Sequence, residues 1–234
     1  MKNMTIYKTA GVFAILGGTV ATVGFLLLKV FFGYPEIIRA DPGVLLSKLY
    51  ETRHIVPYLY YVGIGCAGIC IIFFTALFSH ILKNEGEEVF SSLAKICGII
   101  TGILLYAGII RYSILFPRLA VLRESGAVNR ETIDLIFYSM NSYIGDSIAE
   151  HVQFTFTSFM LLFFGISNLK TRVIPKWISY IGIFLTFILV IGNLEQFGFD
   201  FAFRFNRIGG DMIAVWLIIT GILLLFKKPA LQNE

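Results

Sequence analysis

Apolar residues run almost unbroken through six stretches of this chain, at about 9–33, 55–82, 89–115, 138–168, 174–196 and 208–226, with short polar connections between them. Such runs match the ~20 residues with which a helix crosses the ~30 Å hydrocarbon core of a bilayer. The first run is also longer than the ~7–15 residue core of a cleaved signal peptide, so it reads as a retained span. The pattern predicts an all-α polytopic transmembrane bundle of six spans, forming one integral membrane domain over residues 1–234.

The connections refine the picture. Between the first two spans Asp41 is placed to cap a short amphipathic helix, with Pro42 at its first position and Leu45, Leu46, Leu49 and Tyr50 on one side. That helix is expected to lie flat on the membrane or to cap the bundle. Pro57 softly breaks the start of the second span, where Tyr58, Tyr60 and Tyr61 fit an interfacial aromatic belt. Gly11, Gly17, Gly18 and Gly24 in the first span, and Gly98 and Gly102 in the third, offer small faces for close helix packing. Pro117 is expected to kink or end the third span. Asn129 can cap a fourth helix running from about 131 to 168, which would be about 57 Å long, nearly twice the membrane core. Pro175 opens the fifth span, with Trp177 and Tyr180 at its interface. Phenylalanines alternate strictly from Phe197 to Phe205 at a strand period. With no second strand to pair, an extended lid or interfacial loop is the expectation.

Composition agrees with the pattern. The chain has 234 residues, 57% of them hydrophobic and only 15% charged, at a mean hydropathy of +0.80. Soluble domains carry about 25% charge. The net charge of +4 comes with lysines at helix ends and no basic patch interleaved with aromatics, which argues against nucleic-acid binding. Cys66, Cys70 and Cys97 fall in apolar segments and read as packing residues. Lys2, Lys8, Lys83, Lys95, Lys170, Arg172, Lys176, Lys227 and Lys228 share one face with only Glu85, Glu87, Glu88 and Glu234. The lysine-rich side predicts both termini in the cytoplasm of a multi-pass plasma-membrane protein. The glycine faces are also compatible with a homodimer.

One stretch resists an apolar role. Tyr143–Gln153 holds Asp146, Glu150 and His151 within an otherwise membrane-spanning helix. At α-helical spacing Asp146 and Glu150 share a face with Tyr143, Gln153 and Thr157. Each carboxylate at bilayer depth costs about 2.5–3.5 kcal/mol, so both are expected to face protein or water. Lys29, Arg111, Asn193, Glu195 and Asp211 fall in the same half of the membrane and complete a candidate ligand or ion cavity open to the outside. Lys29 either snorkels to the interface or turns inward as a counter-charge. Arg111, Asp146, Glu150 and His151 are deepest, leaving one positive charge to be found. Lys29, a protonated His151, a proton on a carboxyl or a bound cation would each supply it.

Three segments carry a family resemblance: Thr9-Ala-Gly-Val-Phe13; Ala40-Asp-Pro-Gly-Val-Leu-Leu46 with Arg53 after it; and Arg172-Val-Ile-Pro-Lys-Trp-Ile-Ser-Tyr-Ile-Gly182. Their order and spacing resemble the small bacterial six-span proteins grouped as domain-of-unknown-function family 4386. The resemblance implies a single helical membrane domain of unassigned activity, and transfers no catalytic role or cofactor.

Three functions therefore stand at this point. The first is a non-enzymatic protein whose polar cavity binds or passes a small cation, proton or amphiphile, with Asp146 and Glu150 as the charge pair and Arg111 as their partner. The second is an intramembrane metal-dependent hydrolase built on His151, Glu150 and His54, although no HExxH spacing is present. The third is a structural or immunity-type interaction protein in which the charges only pin helices together.

Overall fold

The computed structural model describes residues 2–227, with side chains from Met4 onward. The side chain of Lys2, together with Lys228 and Glu234, which entered the charge balance above, lies outside what is described. The helices are α1 (Lys2–Phe32), the short α2 (Pro42–Glu51), α3 (Val56–Asn84), α4 (Val89–Ser125), α5 (Arg130–Thr171), α6 (Lys176–Phe197) and α7 (Ala202–Phe226). All but α2 are long and apolar enough to cross a membrane, and no strand occurs among the described residues. The chain is thus a multi-pass membrane protein with six candidate spans. Helix α1 packs against α3 and α7, α4 joins α3 to α5, and α6 lies between α5 and α7.

Close approach of backbones makes this packing possible. A Cβ on Gly63 would fall 2.9 Å from the Cα of Gly24, and one on Gly102 would fall 2.5 Å from the carbonyl oxygen of Gly68. Of the glycines expected to offer small faces, Gly17 and Gly24 lie in the α1–α3 seam, Gly11 and Gly18 in the α1–α7 seam, and Gly102 in the α3–α4 seam. Cys97 is buried, and all three cysteines are free thiols.

The core divides into two clusters along the bundle. One, around Phe74, Phe78, Phe164 and Trp216, fills the half nearer the N-terminus of α1. The other joins Leu28, Phe32, Tyr60, Tyr112, Phe116 and Phe137 to Leu45, Leu46 and Leu49 of α2. Those three leucines are fully buried, so α2 caps the bundle. Asp41 caps it as expected, accepting from the Gly43 amide at 2.9 Å, and Asn129 caps α5 by accepting from the amides of Glu131 and Thr132.

Pro117 does not end its helix, which continues to Ser125. The proline removes the donor for the carbonyl four residues back, and wide π-helical turns over Arg111–Leu115 take up the mismatch. Helices α4 and α5, at 37 and 42 residues, are about 55 and 63 Å long and overshoot a ~30 Å core. Their projecting ends pack on α2, where Arg123 pairs with Asp134 at 2.7 Å and donates to Ser47 at 3.3 Å. The alternating phenylalanines form no extended lid. A helical turn ends at Phe197, Gly198 takes a left-handed conformation at φ 89°, and α7 begins at Ala202, six residues before the expected start. Phe197, Phe199, Phe201 and Phe205 remain exposed, so their hydrophobicity serves the surface at a helix start and their alternation carries no strand.

The opposite end is held by polar ties. Asn168, buried, donates to the Ile174 carbonyl at 3.0 Å and to Ser179 Oγ at 2.7 Å, and accepts from the Ile174 amide at 2.9 Å. Asn168→Ala leaves both backbone groups of Ile174 without these partners and is expected to cost about 2–4 kcal/mol in a denaturant titration, since each unsatisfied buried group costs about 1–3 kcal/mol. Glu87, in the connection before α4, accepts from Lys170 at 2.8 Å and from the Phe90 amide at 3.1 Å. The Lys170 bond first, then the amide, holds its carboxyl below the usual carboxylate range. A depressed folded pKa gives stability that is present above the unfolded value of about 4.3 and is lost as pH falls through the folded one. Melting temperature is therefore expected to fall below about pH 4 more steeply in the wild type than in Lys170→Met, whose curve is already lower at neutral pH.

Candidate functional site

The polar cluster sits where α4 and α5 are wound as π-helix. Such turns cover Arg111–Leu115 in α4 and Asn141–Val152 in α5, and a third set covers Leu59–Gly65 in α3. Ser147 Oγ bonds the carbonyl of Ser142, five residues back. The wider winding changes which residues share a face. Tyr143, expected beside Asp146 and Glu150, is 67% exposed, whereas Gln153 and Thr157 are buried. Gln153 Nε2 donates to Thr157 Oγ1 at 2.8 Å, and Thr157 reaches Thr101 of α4 at 3.3 Å.

Arg111 is buried at the centre. Its Nη1 donates to the carbonyl of Gly108 and its Nε to Asn141 Oδ1 at 3.3 Å. The guanidinium lies 4.9 Å from the Tyr112 ring centroid, and Tyr112 stacks on Tyr60 at 4.3 Å. Gly145 makes room for the guanidinium, and Gly108 makes room for Ala149 of α5 beside it. A Cβ on Gly145 would sit 2.5 Å from Arg111 Nη2, and one on Gly108 would collide with Ala149 Cβ.

The expected direct pairing of Arg111 with Asp146 or Glu150 is not what the fold forms. No ion pair joins them among the described residues, because the guanidinium is oriented by its bonds to Gly108 and Asn141. Asp146 and Glu150, both partly buried, have no hydrogen-bond or ion-pair partner among those residues. The charges within electrostatic reach of Glu150 are Asp146, Glu195, Arg39 and Arg111. Three carboxylates thus share two guanidiniums.

The other candidates divide. Glu195 pairs with Arg39 and accepts from Asn206 Nδ2 at 3.2 Å. Asn193 donates to Thr155 Oγ1 at 3.0 Å. His151 packs edge-on to Phe197 at 5.5 Å, and its buried Nδ1 has no hydrogen-bond partner among the described residues. Lys29 and Asp211 are exposed. Lys29 therefore stays outside the cluster, in keeping with snorkelling from the end of α1. His54 is exposed as well, and among the described residues no three His, Cys, Asp or Glu side chains come together as a metal-ligand group. The proposed metal set of His54, His151 and Glu150 is not assembled.

Four participants escape a reading of the spans alone: Arg39, Asn141, Asn206 and Tyr34. Arg39 comes from the connection before α2, pairs with Glu195 and covers the Phe203 ring at 3.9 Å. Tyr34 follows Gly33, which has φ +80°. Burial first, then the negative charges of Glu150 and Asp211, push its phenol well above the ordinary tyrosine range, against an opposing pull from Arg207. The only sequence signal for Arg39 was an arginine on the face opposite the lysines; Tyr34 gave none.

No curated protein and no solved structure matches this chain. A family model, described as a domain of unknown function (DUF4386), matches residues 9–228. That match spans nearly the whole described bundle, from α1 to the end of α7, and the chain belongs to this DUF4386 family.

Proposed function

We infer that the α4–α5 cluster is an intramembrane site that binds a small cation or carries a proton, without covalent chemistry. Asp146 and Glu150 are its acceptors and Arg111 its fixed counter-charge. The observation carrying this reading is that two neighbouring carboxylates in a span have no direct partner among the described residues while the buried arginine beside them is committed elsewhere. A carboxylate left so at membrane depth is costly, and a missing unit of positive charge is what a cation or proton supplies. Buried polar atoms without partners, Tyr60 Oη, His151 Nδ1 and Asn206 Oδ1, add polar groups suited to such an occupant or its water. The lysine-rich face, with Lys83, Lys95, Lys170 and Lys176, supports termini in the cytoplasm of a plasma membrane, so that the cluster lies in the outer half.

The test is a thermal-unfolding series of the purified protein in detergent with sodium, potassium or tetramethylammonium chloride, each from pH 5 to 9. A ligand present at 100 times its Kd stabilises by about 2.7 kcal/mol. One cation, or proton concentration itself, is expected to raise the melting temperature of the wild type and not of Glu150→Gln. Identical responses of the two proteins to every cation and pH would refute the assignment.

A further inference from the structure

Away from the polar cluster, the bundle carries a groove rich in positive charge at the turn between α5 and α6. Arg172, Pro175 and Lys176 form one side, and Leu223, Phe226 and Lys227 at the end of α7 form the other. Its volume is about 540 Å³, in the ~300–1,000 Å³ range of small-ligand sites. Among the described residues no acidic side chain lines it. Among the described residues none of the three cations is in an ion pair, although other basic residues of the chain, Lys83 and Lys170 at this same end included, pair with carboxylates.

The turn is also held in shape. Arg172 takes a left-handed conformation at φ 56°, its amide bonding the Asn168 carbonyl at 2.7 Å, and Asn168 ties down Ile174 from the other side. Three cations thus line one concavity, none of them in an ion pair among the described residues. Phe226, which lines the groove, is 80% exposed, and Trp177, next to Lys176 in the chain, is 47% exposed, apolar groups where the spans end. A groove that joins three cations to the apolar Val173, Ile174, Leu223 and Phe226 matches a molecule with a phosphate joined to hydrocarbon.

We propose that this groove binds the phosphate of an anionic glycerophospholipid, held by Arg172, Lys176 and Lys227, with the acyl chains against Phe226 and Trp177. The site is independent of Glu150. The test titrates phosphatidylglycerol, phosphatidylcholine or inorganic phosphate onto the detergent-solubilised full chain and counts bound molecules by native mass spectrometry. The wild type is expected to bind phosphatidylglycerol at least about tenfold more tightly than phosphatidylcholine, and the triple variant R172N/K176Q/K227Q to lose that preference. Asparagine tolerates the left-handed conformation at position 172. Lys227→Gln, just past the end of α7 and outside the core, is expected to lose about fivefold and decides the matter should the triple variant not fold. Undiminished preference in these variants overturns the proposal. An equal loss in K48Q/R53Q/R130Q at the other end of the bundle overturns it too, since the attraction would then be general charge. Inorganic phosphate binding as tightly as the lipid would overturn the lipid assignment in favour of a free anion.

Discussion

Replacing Arg111 by leucine is expected to destabilise the protein by about 3–5 kcal/mol, the usual cost of removing one partner from a buried charge cluster. The loss has two sources. Leucine abandons the Gly108 carbonyl and Asn141 Oδ1, and it removes the buried positive charge beside Asp146 and Glu150, Arg39 being paired with Glu195. The second source can be isolated. Adding Glu150→Gln to Arg111→Leu is expected to recover about 1–2 kcal/mol, because the double variant removes one of the uncompensated charges, and coupling of this size is usual within one network. Denaturant unfolding of the four proteins of the cycle reads that coupling. Strict additivity would mean that Arg111 acts through its bonds to Gly108 and Asn141 and its packing, and not through the charge of Glu150.

The second large effect is expected at the α4–α5 seam. Gly108→Val places a branched side chain where Ala149 Cβ already sits, and the helices must part or the protein fails to fold. Overpacking of this kind costs about 1–3 kcal/mol or more. Gly145→Ala is a finer probe, because its added methyl meets the movable end of Arg111 at 2.5 Å instead of backbone. The guanidinium is then displaced from Asn141, so cation or proton response should change more than melting temperature. Measured together, the two glycines separate assembly of the site from assembly of the bundle.

What the sequence made legible follows from how local each signal is. The caps at Asp41 and Asn129 need only their next few residues, and both form as read. The spans follow from runs of apolar residues long enough to cross a bilayer, and six such helices are present. Side-chain direction within the spans was less accessible, because a face drawn at 3.6 residues per turn presumes α-helix, and the Asn141–Val152 stretch is π-helical. That is why Tyr143 turns outward. The same winding lets α4 continue through Pro117. Residues such as Arg39 and Tyr34 enter from a connection whose path is set by α2 docking its three leucines into the bundle, a tertiary event that periodicity does not encode.

The account also explains why Arg111 and Glu150 should behave differently although they sit in one cluster. Arg111 is integrated, with hydrogen bonds on two sides and aromatic rings beside it. Glu150 is partly buried and makes no direct bond among the described residues. A residue kept for structure is bonded into its surroundings, whereas a site group retained for binding lowers stability where it stands.

The most direct test of the central claim is the unfolding free energy of Glu150→Gln against the wild type, at neutral pH in detergent without added cation. Glutamine keeps the shape and removes the charge. A site reading predicts that the variant is as stable as the wild type or more so, while its response to cations or pH is gone. A loss of about 3–5 kcal/mol, matching Arg111→Leu, would contradict it and make the cluster a set of pins between helices.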